Sequence, residues 1–129
     1  MGTGISTECR KCQNQETHLF GIGMIYSDLD NIISFFTPGV QKKVLELEEM
    51  YRLEEVDYSH DLFECIHCDT AHSRLSLEIK YSGSLVYKPQ FKCYECKRKL
   101  KPTNRDVGSF KCRKCYSYDL VETNYINWD

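Results

Sequence analysis

The sequence predicts a small metal-stabilised α+β fold: two Cys₄ zinc-ribbon units, β-rich, with a helical insertion between the first two knuckles. Three observations lead there. All eight cysteines fall into four Cys-x-x-Cys pairs, Cys9/Cys12, Cys65/Cys68, Cys93/Cys96 and Cys112/Cys115. Two intervening residues let a tight turn aim both thiols at one point, and two such pairs complete the tetrahedral shell that zinc takes. The apolar fraction of the 129 residues is only 41% even with the cysteines counted, a lean interior of the kind that structural metal staples. Finally, the apolar residues have helical spacing before residue 55 and alternate after residue 60.

Taken in order, residues 8–26 read as a knuckle followed by a strand. Its apolar run (Leu19, Phe20, Ile22, Met24, Ile25, Tyr26) is broken by Gly21 and Gly23, and glycines inside a strand mark a bulge or a close backbone approach. No Gly-Lys-Ser/Thr follows, which removes a phosphate loop. The insertion spans about 28–55. Ser27 caps a short helical segment from Asp28 to Phe36. Thr37-Pro38 then places a cap before proline at the first helical position. Val40, Val44, Leu47 and Tyr51 fall on one helix face. Glu48 and Arg52 are a favourable i,i+4 pair, and Glu54, Glu55 and Asp57 read as the solvated end. Leu75, Leu77, Ile79 and Tyr81 alternate as a strand. Tyr81–Leu85 is a turn, and Leu85–Phe91 is the partner strand, with Pro89 suited to an edge. Val107–Phe110 leads into the last knuckle, and 118–126 is a closing strand.

The knuckles are separated by 52, 24 and 15 residues. The last spacing matches the ribbon pattern Cys-x-x-Cys-x15–20-Cys-x-x-Cys. Cys93/Cys96 therefore joins Cys112/Cys115, and Cys9/Cys12 joins Cys65/Cys68 by elimination. This divides the chain into a first ribbon unit, 1–80, containing the insertion, and a second, 81–129. The alternative joins the second knuckle to the third and the first to the last. His67 and His72 offer themselves as replacement ligands, but the cysteine count already closes both shells, so both read as polar loop residues. The expected cofactors are two Zn²⁺ ions; a single iron also suits four thiolates. A structural zinc releases about 10–16 kcal/mol in finger peptides, against a typical domain stability of about 5–15 kcal/mol.

Several functions are disfavoured. No knuckle is followed by histidine, which removes covalent haem attachment. Four thiolates leave no open coordination position for water, and no His-Glu-x-x-His or Gly-x-Ser-x-Gly motif occurs, so the chain reads as a non-enzyme. Neither a secretory signal nor the ~20-residue apolar run of a membrane helix is visible. The thiols are thus expected reduced, in the cytoplasm. Met1-Gly2-Thr3-Gly4-Ile5-Ser6 fits the myristoylation pattern, but the pattern is short, and a tight glycine-containing lead-in to the first knuckle is the preferred reading.

Charge is uneven. Residues 1–79 carry 6 Lys/Arg against 14 Asp/Glu, and residues 80–115 carry 11 against 2. Lys92, Lys97, Arg98, Lys99, Lys101, Lys111, Arg113 and Lys114 gather around the second expected metal site. With Tyr87, Phe91, Tyr94, Phe110 and Tyr116 between them they form a candidate nucleic-acid surface. The whole-chain isoelectric point near 6.1 argues against that partner. A macromolecular partner is expected, protein ahead of nucleic acid, with no membrane association.

The opening Met1-Gly2-Thr3-Gly4-Ile5, the Cys9/Cys12 knuckle and Gly21-Ile22-Gly23-Met24 resemble the start of small zinc-ribbon proteins of Gram-positive bacteria and their phages, which carry four Cys-x-x-Cys knuckles along their length. The resemblance implies two structural zinc ribbons in bacterial cytoplasm and no activity; a phage-type modulator of a host complex is one role that suits it. The chain departs from the usual ribbon after the second cysteine of each knuckle, where glycine commonly accepts a positive φ. Gln13, Asp69, Lys97 and Tyr116 stand there instead.

Overall fold

The computed structural model describes residues 2–21 and 32–128. Strands Ile22–Tyr26 and the Ser27-capped helix start, both expected from sequence, lie outside those residues up to Asn31. The described residues include seven strands, the α-helix Pro38–Met50 and, ahead of it, the helical residues Ile32 and Ile33. The strands are β1 (Gly2–Cys9), β2 (Gln15–Gly21), β3 (Leu53–Cys65), β4 (Thr70–Tyr81), β5 (Leu85–Tyr87), β6 (Lys101–Pro102) and β7 (Leu120–Trp128), and the helix is α1 (Pro38–Met50). They make one antiparallel sheet in the order β5-β4-β3-β2-β1-β7, with β6 added to β3.

The helix start follows its chemistry. Thr37 is the N-cap, its hydroxyl accepting from the Val40 N–H at 3.4 Å, and Pro38 follows it. Val44 and Leu47 are buried against Ile32, Leu77, Ile79 and Tyr81, with Val40 packed alongside. The alternation of β4 thus supplies the sheet side of this core. The helix stops at Met50 rather than near 55, and Glu54, Glu55 and Asp57 belong to β3, not to a solvated helix end. Strand β3 gives Glu55 a partner, Lys80 on β4, at 3.3 Å. The turn after Tyr81 contains Gly83 at φ 77°, and β5 is the outer strand with Pro89 just beyond it.

The largest departure from the sequence reading is β1. Its residues, Gly2-Thr3-Gly4-Ile5-Ser6-Thr7, show little apolar alternation, yet it is central. It pairs with β2 on one side and with β7 on the other, Gly2 opposite Trp128 and Cys9 opposite Leu120. Gly4 is required there: a Cβ would stand 2.8 Å from Ile126 Cγ1 and 3.2 Å from Leu19 Cδ2. A second core, Leu62, Ala71, Val107 and Phe110, packs with Ile5, Phe20 and Leu120 and so ties β1, β2 and β7 to the β3–β4 hairpin. The sheet therefore draws strands from both sides of residue 80.

No helix among the described residues is long and apolar enough to cross a membrane.

Candidate metal centres

Each cysteine pair sits in a loop of one design. In all four, the residue after the second cysteine donates its N–H to the carbonyl of the first: Gln13 to Cys9, Asp69 to Cys65 and Tyr116 to Cys112 at 2.8 Å, and Lys97 to Cys93 at 3.0 Å. All four donors take a left-handed backbone, at φ 60°, 56°, 58° and 65° in that order. A non-glycine residue there costs about 1–2 kcal/mol. Four such positions in one chain, each one residue past a knuckle, show the loops held in a common form. Cys9, Cys93 and Cys112 close the same turn from the other side, donating to Asn14, Arg98 and Ser117. In the second knuckle the β3–β4 ladder does this, with Cys65 opposite Thr70.

The loops meet in two sets of four. Centre one is Cys9, Cys12, Cys112 and Cys115; centre two is Cys65, Cys68, Cys93 and Cys96; within each set the sulfurs lie within 4.8 Å of one another. This is the alternative pairing, the second knuckle with the third and the first with the last, in place of the preferred pairing of one with two and three with four. The physical reason is sheet topology. The β1–β7 ladder brings Cys9 opposite Leu120, and the Arg10 N–H reaches the Asp119 carbonyl at 2.9 Å, so the fourth knuckle is delivered to the first. Strand β6 pairs with Phe63 and Glu64, which places the third knuckle beside the second. The 15-residue spacing fits a ribbon by length, but the segment between is used for β6 and for the buried Val107 and Phe110.

The sulfur positions suit a tetrahedral ion. Sγ–Sγ separations include Cys9–Cys115 at 3.5 Å, Cys12–Cys112 at 3.6 Å, Cys65–Cys96 at 3.4 Å and Cys68–Cys93 at 4.0 Å. A zinc–sulfur bond of ~2.3 Å implies a tetrahedral edge of about 3.8 Å. All eight cysteines are free of disulfides. Backbone N–H groups of Cys68 and Lys114 point at the Cys65 and Cys112 sulfurs, each at 3.4 Å, which supports thiolate charge.

Acidity within each set is divided. The Ser117 hydroxyl and the Cys12 backbone lower Cys9 to about 6, and Ser117 likewise lowers Cys115. Against a hydrogen bond from the Asn14 backbone, burial and the neighbouring sulfurs of Cys112, Cys115 and Cys9 push Cys12 up to about 12. Burial, then the sulfurs of Cys65, Cys96 and Cys93, raises Cys68 to about 12, and burial raises Cys93. Four sulfurs this close cannot all ionise on their own; a divalent cation supplies the compensating charge and displaces the protons.

The basic residues do not gather at one centre. Lys92, Lys97, Arg98 and Lys99 flank the third knuckle and Lys101 lies in β6, whereas Lys111, Arg113 and Lys114 belong to the fourth knuckle, in centre one. Six of the eight are exposed; Lys111 and Arg113 are half-buried. Lys111 Nζ lies 5.4 Å from the Tyr118 ring centroid. Arg113 is committed to Glu16 at 3.6 Å and to Glu95 at 3.5 Å.

Around that arginine the sequence reading missed a polar cluster. His18 and His72 are buried on β2 and β4, so His72 is not a loop residue; its Nε2 lies 2.9 Å from the Thr70 hydroxyl. His72, Cys93 and Glu95 also stand close enough to share an ion, but Arg113 and Arg74 face His72 and depress its pKa to about 4 after burial, a positive setting that opposes a cation. Arg74 covers the Tyr94 ring at 4.1 Å. The Cys93 thiol donates to Glu95 at 3.2 Å. Only convergence of distant segments reveals this cluster. The one local hint was that Arg113 and Glu95 each sit inside a knuckle. His67 is exposed.

No protein-family model, curated protein or solved structure matches this chain.

Proposed function

We propose that the chain is a non-enzymatic zinc-binding protein of zinc-ribbon type, a protein-interaction or regulatory module whose two ions are structural. One observation carries the reading: both sets consist of four cysteines in matching closed loops. Four thiolates saturate a tetrahedral zinc and leave no position for substrate or water. Zinc would supply cross-linking and folding energy, and Cys9, Cys12, Cys112, Cys115 and Cys65, Cys68, Cys93, Cys96 would hold it.

This reading looks for the protein-facing surface at the helical end. Phe35, Leu45 and Met50 are 59%, 62% and 73% exposed, beside Glu46, Glu48 and Glu49. Lys42 and Lys43 are exposed on the same helix, so the surface is mixed in charge, and its exposed apolar side chains suit a partner with an apolar surface. In the bacterial or phage setting that the resemblance implies, a component of a host complex would meet that description. Elemental analysis of the purified chain should give two zinc ions. Leu45→Glu with Met50→Glu should abolish partner capture while both ions stay bound; capture unchanged in that variant rejects this surface.

A second reading is nucleic-acid binding through Lys92, Lys97, Arg98, Lys99, Lys101 and Lys114. It is favoured by the exposure of Tyr94, at 60%, and Tyr116, at 43%, next to these cations. It requires oligonucleotide affinity that falls steeply with salt; no binding of short DNA or RNA at low salt removes it.

A further inference from the structure

The two centres are not independent neighbours. Arg113 lies inside the Cys112–Cys115 knuckle of centre one, and its guanidinium reaches Glu95, inside the Cys93–Cys96 knuckle of centre two. The same group holds Glu16, just after the first knuckle. The Arg113 side chain is 23% exposed, with Glu16 at 22% and Glu95 at 30%, so water screens these pairs only in part. Its Nε is buried with no hydrogen-bond partner, so the side chain is held among protein atoms rather than in solvent.

We propose that Arg113 couples the two metal centres, so that filling either one tightens the other. The inference rests on both sets taking a divalent ion. Four thiolates and one such ion carry a net charge of about −2. Two filled centres side by side repel, which opposes joint filling, and the guanidinium, shared with Glu16 and Glu95, offsets this only in part. Position matters as well as charge. With centre one filled, the Cys112–Cys115 loop is pinned and presents the guanidinium to Glu95. With it empty, that loop loses its anchor, and Glu95, which accepts from the Cys93 thiol 3.2 Å away while centre two is empty, would meet the Cys93 thiolate of a filled centre two without its counter-charge. Filling centre one therefore removes a repulsion at centre two, and linkage makes the effect mutual. The Lys111 N–H also donates to the Asp69 carbonyl at 2.8 Å, joining the fourth knuckle to the second through backbone. The test must separate that route from the arginine.

The apo full-length chain, kept reduced, is titrated with Co²⁺ and followed by thiolate–cobalt absorption and native mass spectrometry. Wild type should pass from empty to two-ion protein with little one-ion species, a coupling in the usual range of about 5–150-fold. Arg113→Gln should still take two ions but accumulate the one-ion form. Glu95→Gln, at a more exposed position, should do the same and decides the matter if Arg113→Gln does not fold. Accumulation of one-ion wild-type protein overturns the proposal. So does cooperative filling that both variants preserve, which assigns coupling to the backbone contact. Saturation of wild type below two ions defeats the metal reading itself, a distinct result.

Discussion

Centre two is local and centre one is not. Between the two halves of centre two lie 24 residues; between the halves of centre one lie 99, almost the whole chain. Chain-closure entropy makes the longer loop costlier by about 1 kcal/mol. Their surroundings differ too. Cys65 and Cys93 are part of an apolar cluster with Phe63 and Leu100, and Phe91 packs on it. At centre one the Ser117 hydroxyl touches Cys9 and Cys115 instead, at 3.4 and 3.1 Å. Centre two is a four-cysteine site set into a core. Centre one is a clasp that fastens β1 to β7.

Metal removal tests the shared part of that contrast and should have the largest effect. Chelation under reducing conditions should unfold the chain, with loss of amide dispersion, since each structural zinc supplies about 10–16 kcal/mol. Retention of dispersion with every thiol free would show that the core suffices alone. Next come single-ligand variants. Cys112→Ser should lose exchange protection in β1, β2 and β7 while β3, β4 and α1 keep theirs. Cys93→Ser should lose protection in all of them, because it opens an apolar cluster. Equal protection maps would erase the distinction between clasp and core. Phe110→Ala probes the packing between the two regions: its ring is fully buried, and removal should cost about 3–5 kcal/mol and loosen β7 first.

Per pH unit, the effect of acid is the smallest. Burial, then Arg113, holds His18 down to about 4; burial, then Arg113 and Arg74, does the same for His72 against the raising effect of Glu95. Glu16 lies 3.9 Å from His18. Both rings are neutral when folded and take up protons near the ordinary 6.5 when unfolded. Their contribution is full above that value and is lost as pH falls towards 4, by up to about 1.4 kcal/mol per unit for each. Denaturation of His18→Asn over that window should show a shallower slope, and an unchanged slope would remove His18 as a source of the acid sensitivity.

The sequence reading and the structure part company over connection rather than chemistry. The eight thiols, the Thr37-Pro38 cap, the Leu75–Tyr81 alternation and the outer position of Leu85–Tyr87 were legible because each is a local pattern. The left-handed backbone at Gln13, Asp69, Lys97 and Tyr116 was not legible, because glycine, the residue that marks such a position, is missing at all four. The pairing of centres was not. It depends on β1, whose glycines, threonines and serine carry no alternation and whose strand character comes from two partners distant in sequence. The start of β3 was hidden for a related reason: Glu54, Glu55 and Asp57 mask its period of two.

The register of β1 against β7 leaves Gly2 opposite Trp128. A short linker could therefore join those positions, with new ends cut at the exposed turn around Gly83. In such a circular permutant the first and fourth knuckles would become near neighbours along the chain, and the clasp would turn from the most distant contact into a local one. Proteins rich in short-range contacts fold faster, so the permutant should collect its metals sooner than the natural order does, with the finished sheet unaltered.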